Sequence, residues 1–174
     1  LLLAIPSSGF HANGYSLIRH IVKTNNFQFD YFISEYQMSM GEVLLTPTEI
    51  YALDCLVLIK ALGEKIRGFS HVTGGGIAEN TARVIPKGLT ATYDRGTWQL
   101  PIAMEFFAKL GNVPQSDMER TWNCGIGMVA IIDPSVSDLA MRSLAARGMK
   151  SWVAGEVKKS DENIGSSLIN NYAK

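Results

Sequence analysis

The amino-acid sequence predicts a layered α/β domain in which one sheet lies between layers of helices. Strand and helix patterns alternate along the chain, with no internal repeat and no evident linker. The run 128–132 is apolar at every position, as expected for a central strand that is covered on both faces. With 174 residues, 47% of them hydrophobic, the chain can bury roughly two thirds of its unfolded surface in one core. We therefore expect residues 1–174 to form a single domain.

The first half of the chain has the patterns of two strands and three helical segments. Residues 1–5 are uniformly apolar, which is typical of a buried strand, and Pro6 ends that strand. The next segment, 14–24, carries its apolar residues in one helical stripe. A less regular region then leads to a helical turn, a helix that Gly63 closes, and a strand that runs into three glycines. These three segments are predicted at 41–45, 54–62 and 66–73.

The second half continues the alternation. The helix predicted over 77–85 stops before Pro86, and β-branched alternation predicts a strand at 89–93. Pro101 and Gly111 have the positions typical of the start and end of a helix. The last helix begins at 133–135 and ends at Gly148, before a strand at 152–157. Its inward residues are predicted to be Val136, Leu139, Ala140 and Leu144.

The most informative stretch runs from His71 to Asn80, where a strand breaks into glycines and a helix begins. Glycine lets successive peptide N–H groups turn toward an anion, and a helix N-terminus adds its positive dipole end. Thr73, Gly74, Gly75 and Gly76 therefore indicate a phosphate site. Alternatively, a turn with several glycines serves only to reverse the chain.

The helix that follows this turn has two chemically different faces. Ile77, Thr81 and Val84 form a face that can pack against the domain. The polar face, at i, i+3, i+4 and i+7 spacing, comprises Gly76, Glu79, Asn80 and Arg83. These residues either lie at the phosphate site, or Glu79 and Arg83 are only a solvated i,i+4 pair.

A second turn of the same form follows the first strand. Ser7, Ser8 and Gly9 end that strand, and Asn13 lies just before the helix. These side chains either bind a ligand or satisfy backbone N–H groups as turn and cap residues. Two such turns in one domain favour a shared ligand groove. The helix would add Ser16 and Arg19 from its polar face.

Two histidines and one asparagine complete the set of candidates. His11 and His71 each lie beside a glycine turn. A histidine there can be an acid, a base or a hydrogen-bond donor to phosphate, or it can be a hydrogen-bonded structural residue. Asn123 precedes Gly125 and Gly127, which indicate either a bulge, the interpretation we favour, or a close backbone approach. Asn123 is then a candidate contact in the groove.

Composition and charge argue against several classes of function. Sixteen basic and sixteen acidic side chains cancel, which disfavours a broad surface for nucleic acid or an anionic membrane. Cys55 and Cys124 have neither metal-ligand spacing nor a disulfide framework, so we expect a reducing, cytoplasmic environment. No apolar run approaches the roughly 20 residues of a membrane helix, and no signal-peptide pattern is present. The chain begins inside an apolar strand without an initiator methionine, so we expect a piece of a longer protein.

Four blocks lie in register along the chain: 7–19 (SSGFHANGYSLIR), 41–48 (GEVLLTPT), 71–76 (HVTGGG) with Glu79, Asn80 and Arg83, and 120–128 (RTWNCGIGM). Together they resemble one family, the aminoimidazole ribonucleotide synthetases, also called phosphoribosylformylglycinamidine cyclo-ligases. The resemblance is to the C-terminal half of that family and extends over nearly the whole chain. The family's Asp-Gly-Val-Gly-Thr-Lys type segment, which is associated with ATP and Mg²⁺ in the N-terminal half, has no counterpart here.

The resemblance implies an α/β/α layered domain with a mixed sheet and partly ferredoxin-like topology. It also implies an ATP-dependent ring closure of formylglycinamidine ribonucleotide to aminoimidazole ribonucleotide in purine biosynthesis. The cofactors would be ATP and Mg²⁺, bound mainly by the other half, with the metal ligands unknown. The full-length protein would be a homodimer and this chain alone an inactive monomer. The candidates for catalysis are His11, His71 and Glu79; those for substrate or phosphate binding are Ser7, Ser8, Gly9, Asn13, Ser16, Arg19, Thr73, Gly74, Gly75, Gly76, Asn80, Arg83 and Asn123.

Two other functions stay open at this stage. One is a different ATP-dependent reaction of the same superfamily, such as those of formylglycinamidine ribonucleotide synthetase, selenophosphate synthetase, thiamine-monophosphate kinase or a hydrogenase-maturation protein. The other is a non-catalytic module that binds a phosphate. Turnover by the full-length protein would distinguish the enzymes from the module.

Overall fold

A computed structural model describes residues 1–161 and 165–174 of the chain. Its elements alternate as the sequence predicts, with two short strands added in the first half and one helix and one strand added in the second. The strands are β1 (Leu2–Pro6), β2 (Phe32–Ile33), β3 (Met38–Ser39), β4 (Ile66–His71), β5 (Leu89–Asp94), β6 (Ile126–Ile132), β7 (Trp152–Lys159) and β8 (Gly165–Ile169). The helices are α1 (Tyr15–Thr24), α2 (Met40–Leu44), α3 (Ala52–Leu62), α4 (Gly76–Ala82), α5 (Ile102–Leu110), α6 (Gln115–Thr121) and α7 (Ser137–Ala145).

Six strands form one mixed sheet in the order β4-β6-β1-β7-β5-β8. All neighbouring pairs are antiparallel except β5 and β8, which are parallel. The four strands β4, β6, β1 and β7 have the spatial order of a ferredoxin-like sheet, in which the first and third strands lie at the centre. Helices α3 and α7 supply the two crossover helices of this unit. The predicted partly ferredoxin-like topology is confirmed.

The sheet separates two hydrophobic cores. Leu3, Ile5 and Ala130 face α3 and α7 on one side of the sheet. Leu2, Ala4 and Val129 face the other side, which is covered mainly by α1, α4 and α5. Every residue of β6 is buried, so the prediction of a central strand covered on both faces is also confirmed.

Two expectations about packing are wrong. Helix α4 ends at Ala82 rather than at residue 85, and Val84 lies beyond it with 42% of its surface exposed. Leu139 is 40% exposed, because α7 turns only a narrow stripe containing Ala140 and Leu144 toward the sheet. In both cases the helical period identifies apolar positions but not the width of the surface that covers them.

Helix α6 and strand β8 were not predicted. In α6 only Met118 is buried, so the segment has no apolar stripe from which a helix can be read. Strand β8 is short, and Ser166 is its one buried residue. None of the helices in the described part of the chain combines the length and apolar character needed to cross a membrane.

Candidate functional site

The topology brings the sequence blocks together at one edge of the sheet. Strands β1 and β4 both run antiparallel to β6, so both end at the edge where β6 begins. The backbone N–H of Ser7 donates to the carbonyl of Gly125 at 3.0 Å, and that of Val72 donates to Gly127 at 2.9 Å. We call the segments that meet here, residues 7–14, 72–76 and 122–125, the loop cluster.

Asn123 is hydrogen-bonded to the loop cluster beneath residues 7–9, which we call the serine turn. It is only 1% exposed. Its side-chain oxygen accepts from the Ser7 hydroxyl and from the Gly125 N–H, each at 2.9 Å, and its nitrogen donates to the Gly9 carbonyl at 2.8 Å. The side-chain amide of Asn123 therefore makes its hydrogen bonds within the protein. This placement gives Asn123 a supporting position under the serine turn rather than an open position in a groove.

The block at 41–48 is hydrogen-bonded to the same turn. The Ser8 hydroxyl donates to the Pro47 carbonyl at 2.6 Å. The Tyr15 hydroxyl donates to the carbonyl of Leu44, at the end of α2. A cleft of about 170 Å³ adjoins the serine turn, with Tyr36 among the residues that line it. Thus the first and second sequence blocks form one unit although residues 20–40 lie between them.

Asn80 organises the glycine turn from the first turns of α4. Its side-chain nitrogen donates to the carbonyls of Thr73 at 3.3 Å, Gly74 at 3.2 Å and Gly76 at 2.8 Å. Its oxygen accepts from the Thr73 hydroxyl at 3.0 Å and from Arg83 at 3.2 Å. A buried amide with this many partners fixes the shape of the turn.

Two of the three glycine N–H groups are used inside the protein. Gly75 donates to the carbonyl of Arg120 at 3.0 Å, and Gly76 donates to that of Thr73 at 3.1 Å. Gly74 is exposed at the tip of the turn. An anion at this turn would therefore meet Gly74 rather than a row of three free N–H groups.

Glu79 lies at the solvent side of α4. Its carboxylate is 3.6 Å from the guanidinium of Arg120 on α6, and both side chains are largely exposed. The surface pair considered from the sequence, Glu79 with Arg83, is replaced by this contact between two helices. Glu79 and Arg120 line a polar cleft of about 380 Å³ together with Gly75 and Asp117.

The two turns predicted to share a groove do approach each other. The side-chain oxygen of Asn13 lies 4.0 Å from the place where a Cβ would stand on Gly74. The serine turn after β1 and the glycine turn after β4 therefore flank a common rim. Other predicted residues lie farther out: Ser16 and Arg19 are exposed on α1, where Arg19 borders a mostly apolar cleft of about 400 Å³ with Phe29 and Leu45.

The two histidines differ sharply in environment. His11 is 4% exposed, and its Nε2 accepts the backbone N–H of Ser8 at 3.2 Å, whereas its Nδ1 has no partner in the described structure. His71 is exposed at the end of β4. The ring of Tyr51 is close to both, with centroid distances of 6.0 Å to His11 and 6.1 Å to His71. Burial, and secondarily the charge of His71, lowers the pKa of His11.

Sequence reasoning missed Tyr51 as a member of the site. Its hydroxyl donates to the carbonyl of Pro6 at 2.7 Å, where β1 ends. It follows the 41–48 block by only three residues, but no pattern indicates that its ring reaches the histidines. Among residues 1–161 and 165–174, no group of three or more His, Cys, Asp or Glu side chains is arranged to hold a metal ion.

We expect Asn80→Ala to destabilise the chain by about 2 kcal/mol, because the substitution leaves three carbonyls and the Thr73 hydroxyl without their common partner. Urea unfolding of the 174-residue chain measures this change. The matched control is Arg83→Ala, which removes one exposed bond to the same amide and should change the unfolding free energy by less than about 0.5 kcal/mol. Equal effects of the two substitutions would contradict a central role of Asn80.

Fold and site together define a mixed α/β domain with a ferredoxin-like core and serine- and glycine-rich loops at one edge of its sheet. This class includes the family to which the sequence points. The chain belongs to the AIR synthase related proteins, as their C-terminal domain, since the model of that domain family matches residues 1–166.

Curated relatives agree with this assignment. A Streptomyces fradiae protein is 43% identical over 163 residues, which are 93% of this chain and 88% of that protein. The phosphoribosylformylglycinamidine cyclo-ligase of Thermoanaerobacter sp. strain X514 is 41% identical over 165 residues, covering 94% of this chain and 48% of that enzyme. The bifunctional purine biosynthetic protein purD of Dictyostelium discoideum is 39% identical over 160 residues, 19% of its length. The chain thus spans most of the Streptomyces protein but about half the length of the Thermoanaerobacter enzyme.

Solved structures show the same fold at low sequence identity. The tt0281 protein of Thermus thermophilus superposes with a TM-score of 0.59 at 14% identity, over 99% of this chain and 50% of that one. The hydrogenase maturation protein HypE gives a TM-score of 0.58, also at 14% identity, over 95% of this chain and 49% of its own.

Proposed function

We propose that this chain is the C-terminal half of a phosphoribosylformylglycinamidine cyclo-ligase. The reaction is the ATP-dependent ring closure of formylglycinamidine ribonucleotide to aminoimidazole ribonucleotide, with ADP and phosphate as the other products. The observation that carries the proposal is that three of the family-like blocks meet in the loop cluster and the fourth, 41–48, is hydrogen-bonded to it. The names of the relatives support the same reaction.

Ring closure makes two demands that a loop cluster of this kind can meet. The formyl oxygen is activated by phosphoryl transfer, the amidine nitrogen attacks the activated carbon, and phosphate leaves. A ribonucleotide phosphate must therefore be held in place while a second phosphoryl group moves, and positioning and electrostatic stabilisation dominate such transfers. Rigid, hydrogen-bonded turns are suited to that task because they need no reorganisation during the reaction.

In this proposal each side chain has a role that its position supports. The turn at Ser7, Ser8 and Gly9 and the turn at Thr73, Gly74, Gly75 and Gly76 hold the substrate phosphate or the transferring phosphoryl group, with Asn13 between them. Asn80 and Asn123 keep these turns in shape. Glu79 and Arg83 line the rim on α4, His71 faces it from β4, and Ser16 and Arg19 extend the surface along α1.

ATP and Mg²⁺ are the cofactors that this reaction requires. The carboxylates in the described part of the chain form no group that could hold a metal ion, and Glu79, the carboxylate of the proposed set, contacts Arg120. We therefore assign both cofactors mainly to the half that the longer relatives carry outside the matched region. In this proposal the chain forms one wall of a site between two halves, in a cytoplasmic, homodimeric enzyme, and the isolated chain is a monomer.

The test is aminoimidazole ribonucleotide formation from formylglycinamidine ribonucleotide, ATP and Mg²⁺. We expect product from the parent protein with its other half and none from the 174-residue chain, which lacks the segment for ATP. Robust turnover by the isolated chain would contradict a site that is shared between two halves. A folded parent that makes no product would overturn the cyclo-ligase assignment and favour a sister ATP-dependent reaction, or a phosphate-binding module if the parent still binds phosphate.

A further inference from the structure

We infer that His11 is a positioning residue rather than a proton donor or acceptor in the reaction. Its neutral ring, with the proton on Nδ1, holds the serine turn in its binding shape, and Tyr51 fixes the ring. His71 is then the histidine that meets the ligand. The inference deepens the proposed function and depends on it only where turnover is measured.

The hydrogen bond to Ser8 determines which nitrogen of His11 carries the proton. A backbone N–H can only donate, so Nε2, at 3.2 Å from the Ser8 nitrogen, must present a lone pair. A neutral histidine with an acceptor at Nε2 has its N–H at Nδ1. Protonation would place a second N–H at Nε2, facing the N–H of Ser8, and the bond that shapes the turn would be lost.

The enclosure of His11 keeps it from acting directly on a ligand. Only 4% of its surface is exposed, and its backbone has φ of 57°, a conformation that is uncommon for residues other than glycine and that Asn and Asp adopt more readily. The backbone of Gly127 lies against its ring, because a Cβ on Gly127 would be 2.7 Å from Cε1 of His11 and 1.9 Å from the Tyr51 hydroxyl. The His11 ring thus lies between Tyr51 and the backbone of Gly127 on β6, and we call these two residues the clamp.

Tyr51 is the second half of the clamp. It is 4% exposed, and its hydroxyl is anchored to the carbonyl of Pro6, one residue before the serine turn. Its ring therefore has a fixed place between the two histidines. His71, by contrast, is exposed on β4 and shares the edge with the glycine turn, so it is the histidine that a ligand can reach.

The electrostatic surroundings act in the same direction. Desolvation, and next the neighbouring His71, lowers the pKa of His11, which favours the neutral ring. Desolvation, and next the carboxylates of Glu49 and Asp54, raises the pKa of Tyr51, which keeps its hydroxyl protonated. Among the described residues, His71 is thus the charged group that acts on His11, and Glu49 and Asp54 are those that act on Tyr51. Because the folded-state pKa of His11 lies below its ordinary value, the ring stays neutral and the turn intact at neutral pH. The stability that the neutral ring contributes falls as pH drops below the ordinary pKa of histidine, and the bond to Ser8 is lost only as pH falls through the lowered folded-state pKa.

Nuclear magnetic resonance can test the tautomer without any turnover. The chain contains three histidines, so a long-range ¹H–¹⁵N spectrum of the ¹⁵N-labelled chain has three ring systems, and His20→Asn removes the one on the outer surface of α1. We expect His11 to be neutral with its proton on Nδ1 at pH 7 and to resist protonation down to lower pH than a free histidine. A proton on Nε2, or a charged ring at pH 7, would overturn the inference.

Two substitutions at position 11 separate positioning from proton transfer in the parent enzyme. In His11→Gln, the side-chain oxygen can reach the position of Nε2 and accept the Ser8 N–H, whereas His11→Ala supplies no acceptor; both variants carry comparable backbone strain at φ of 57°. We expect His11→Gln to lose less than about tenfold in kcat, and His11→Ala to raise KM for the ribonucleotide by about tenfold or more. If His11 transferred a proton, both variants would lose about 100-fold or more in kcat.

The controls keep the two proposals distinguishable. His20→Asn should match the wild type in every assay, and urea unfolding reports whether each position 11 variant is folded. A folded His11→Gln that is as inactive as His11→Ala would refute positioning. A wild-type parent without cyclo-ligase activity would overturn the proposed function, and the spectrum would still decide the state of His11.

Discussion

Gly76→Ala should lower the free energy of unfolding by more than about 3 kcal/mol, since it combines a backbone clash with a strained backbone conformation. A Cβ at this position would stand 1.7 Å from the carbonyl oxygen of Glu119 and 2.8 Å from its carbon, and φ is 69°. The obstacle is backbone, so no side-chain rotation relieves it. Helix α4 would have to move away from α6.

That movement would reach the site directly. The glycine turn is tied to α6 by the bond from the Gly75 N–H to the Arg120 carbonyl, and to α4 by the Asn80 amide. Separation of the two helices breaks the first of these and shifts the second. We therefore expect the parent enzyme carrying Gly76→Ala to lose turnover as well as stability, as measured by product formation and urea unfolding.

Gly88→Ala is the matched control for the cost of the strained backbone conformation. Gly88 has φ of 80°, close to that of Gly76, but nothing lies within 4 Å of the Cβ position. Alanine there should cost about 1 kcal/mol from strain alone. The excess destabilisation at Gly76 then measures the close approach of α4 to α6. Equal effects at the two glycines would show that this contact is unimportant.

Gly76 also marks a limit of sequence reasoning. Its spacing with Glu79 and Asn80 placed it on the polar face of a helix, yet it is buried against α6. The period of α4 could not reveal this, because the neighbour was unknown: α6 has one buried residue and hence no periodic signal. Contacts between helices depend on the path of the chain, which local patterns do not encode.

The loop cluster was easier to predict than its internal bonds. The order and completeness of the blocks indicated that the serine and glycine turns belong together, and Asn13 does lie beside Gly74. What the sequence left open was whether Asn123 faces a ligand or supports the turn, and which residue accompanies His11. Both answers depend on burial and on the direction of single side chains, and these emerge only once β1, β4 and β6 are aligned.

Gly127→Ala is the second substitution with a large expected effect, and it tests the clamp around His11. The register of β1 on β6 passes from Ile5 opposite Met128 to Pro6 opposite Ile126, so Gly127 lies in a bulge. Its backbone also faces Tyr51, so the two interpretations offered by the sequence, a bulge and a close approach, hold together. Alanine would overpack this buried point and displace the Tyr51 hydroxyl from Pro6.

We expect Gly127→Ala to destabilise the chain by about 3 kcal/mol, from overpacking together with the loss of one hydrogen bond. Gly68→Ala on β4 is the control, because the Cβ there meets nothing within 4 Å. If the Tyr51 hydroxyl is the obstacle, Tyr51→Phe should recover about 1 kcal/mol in the double variant relative to additivity, measured by urea unfolding as a double-mutant cycle. Strictly additive effects would mean that Gly127 is constrained by something other than the Tyr51 hydroxyl.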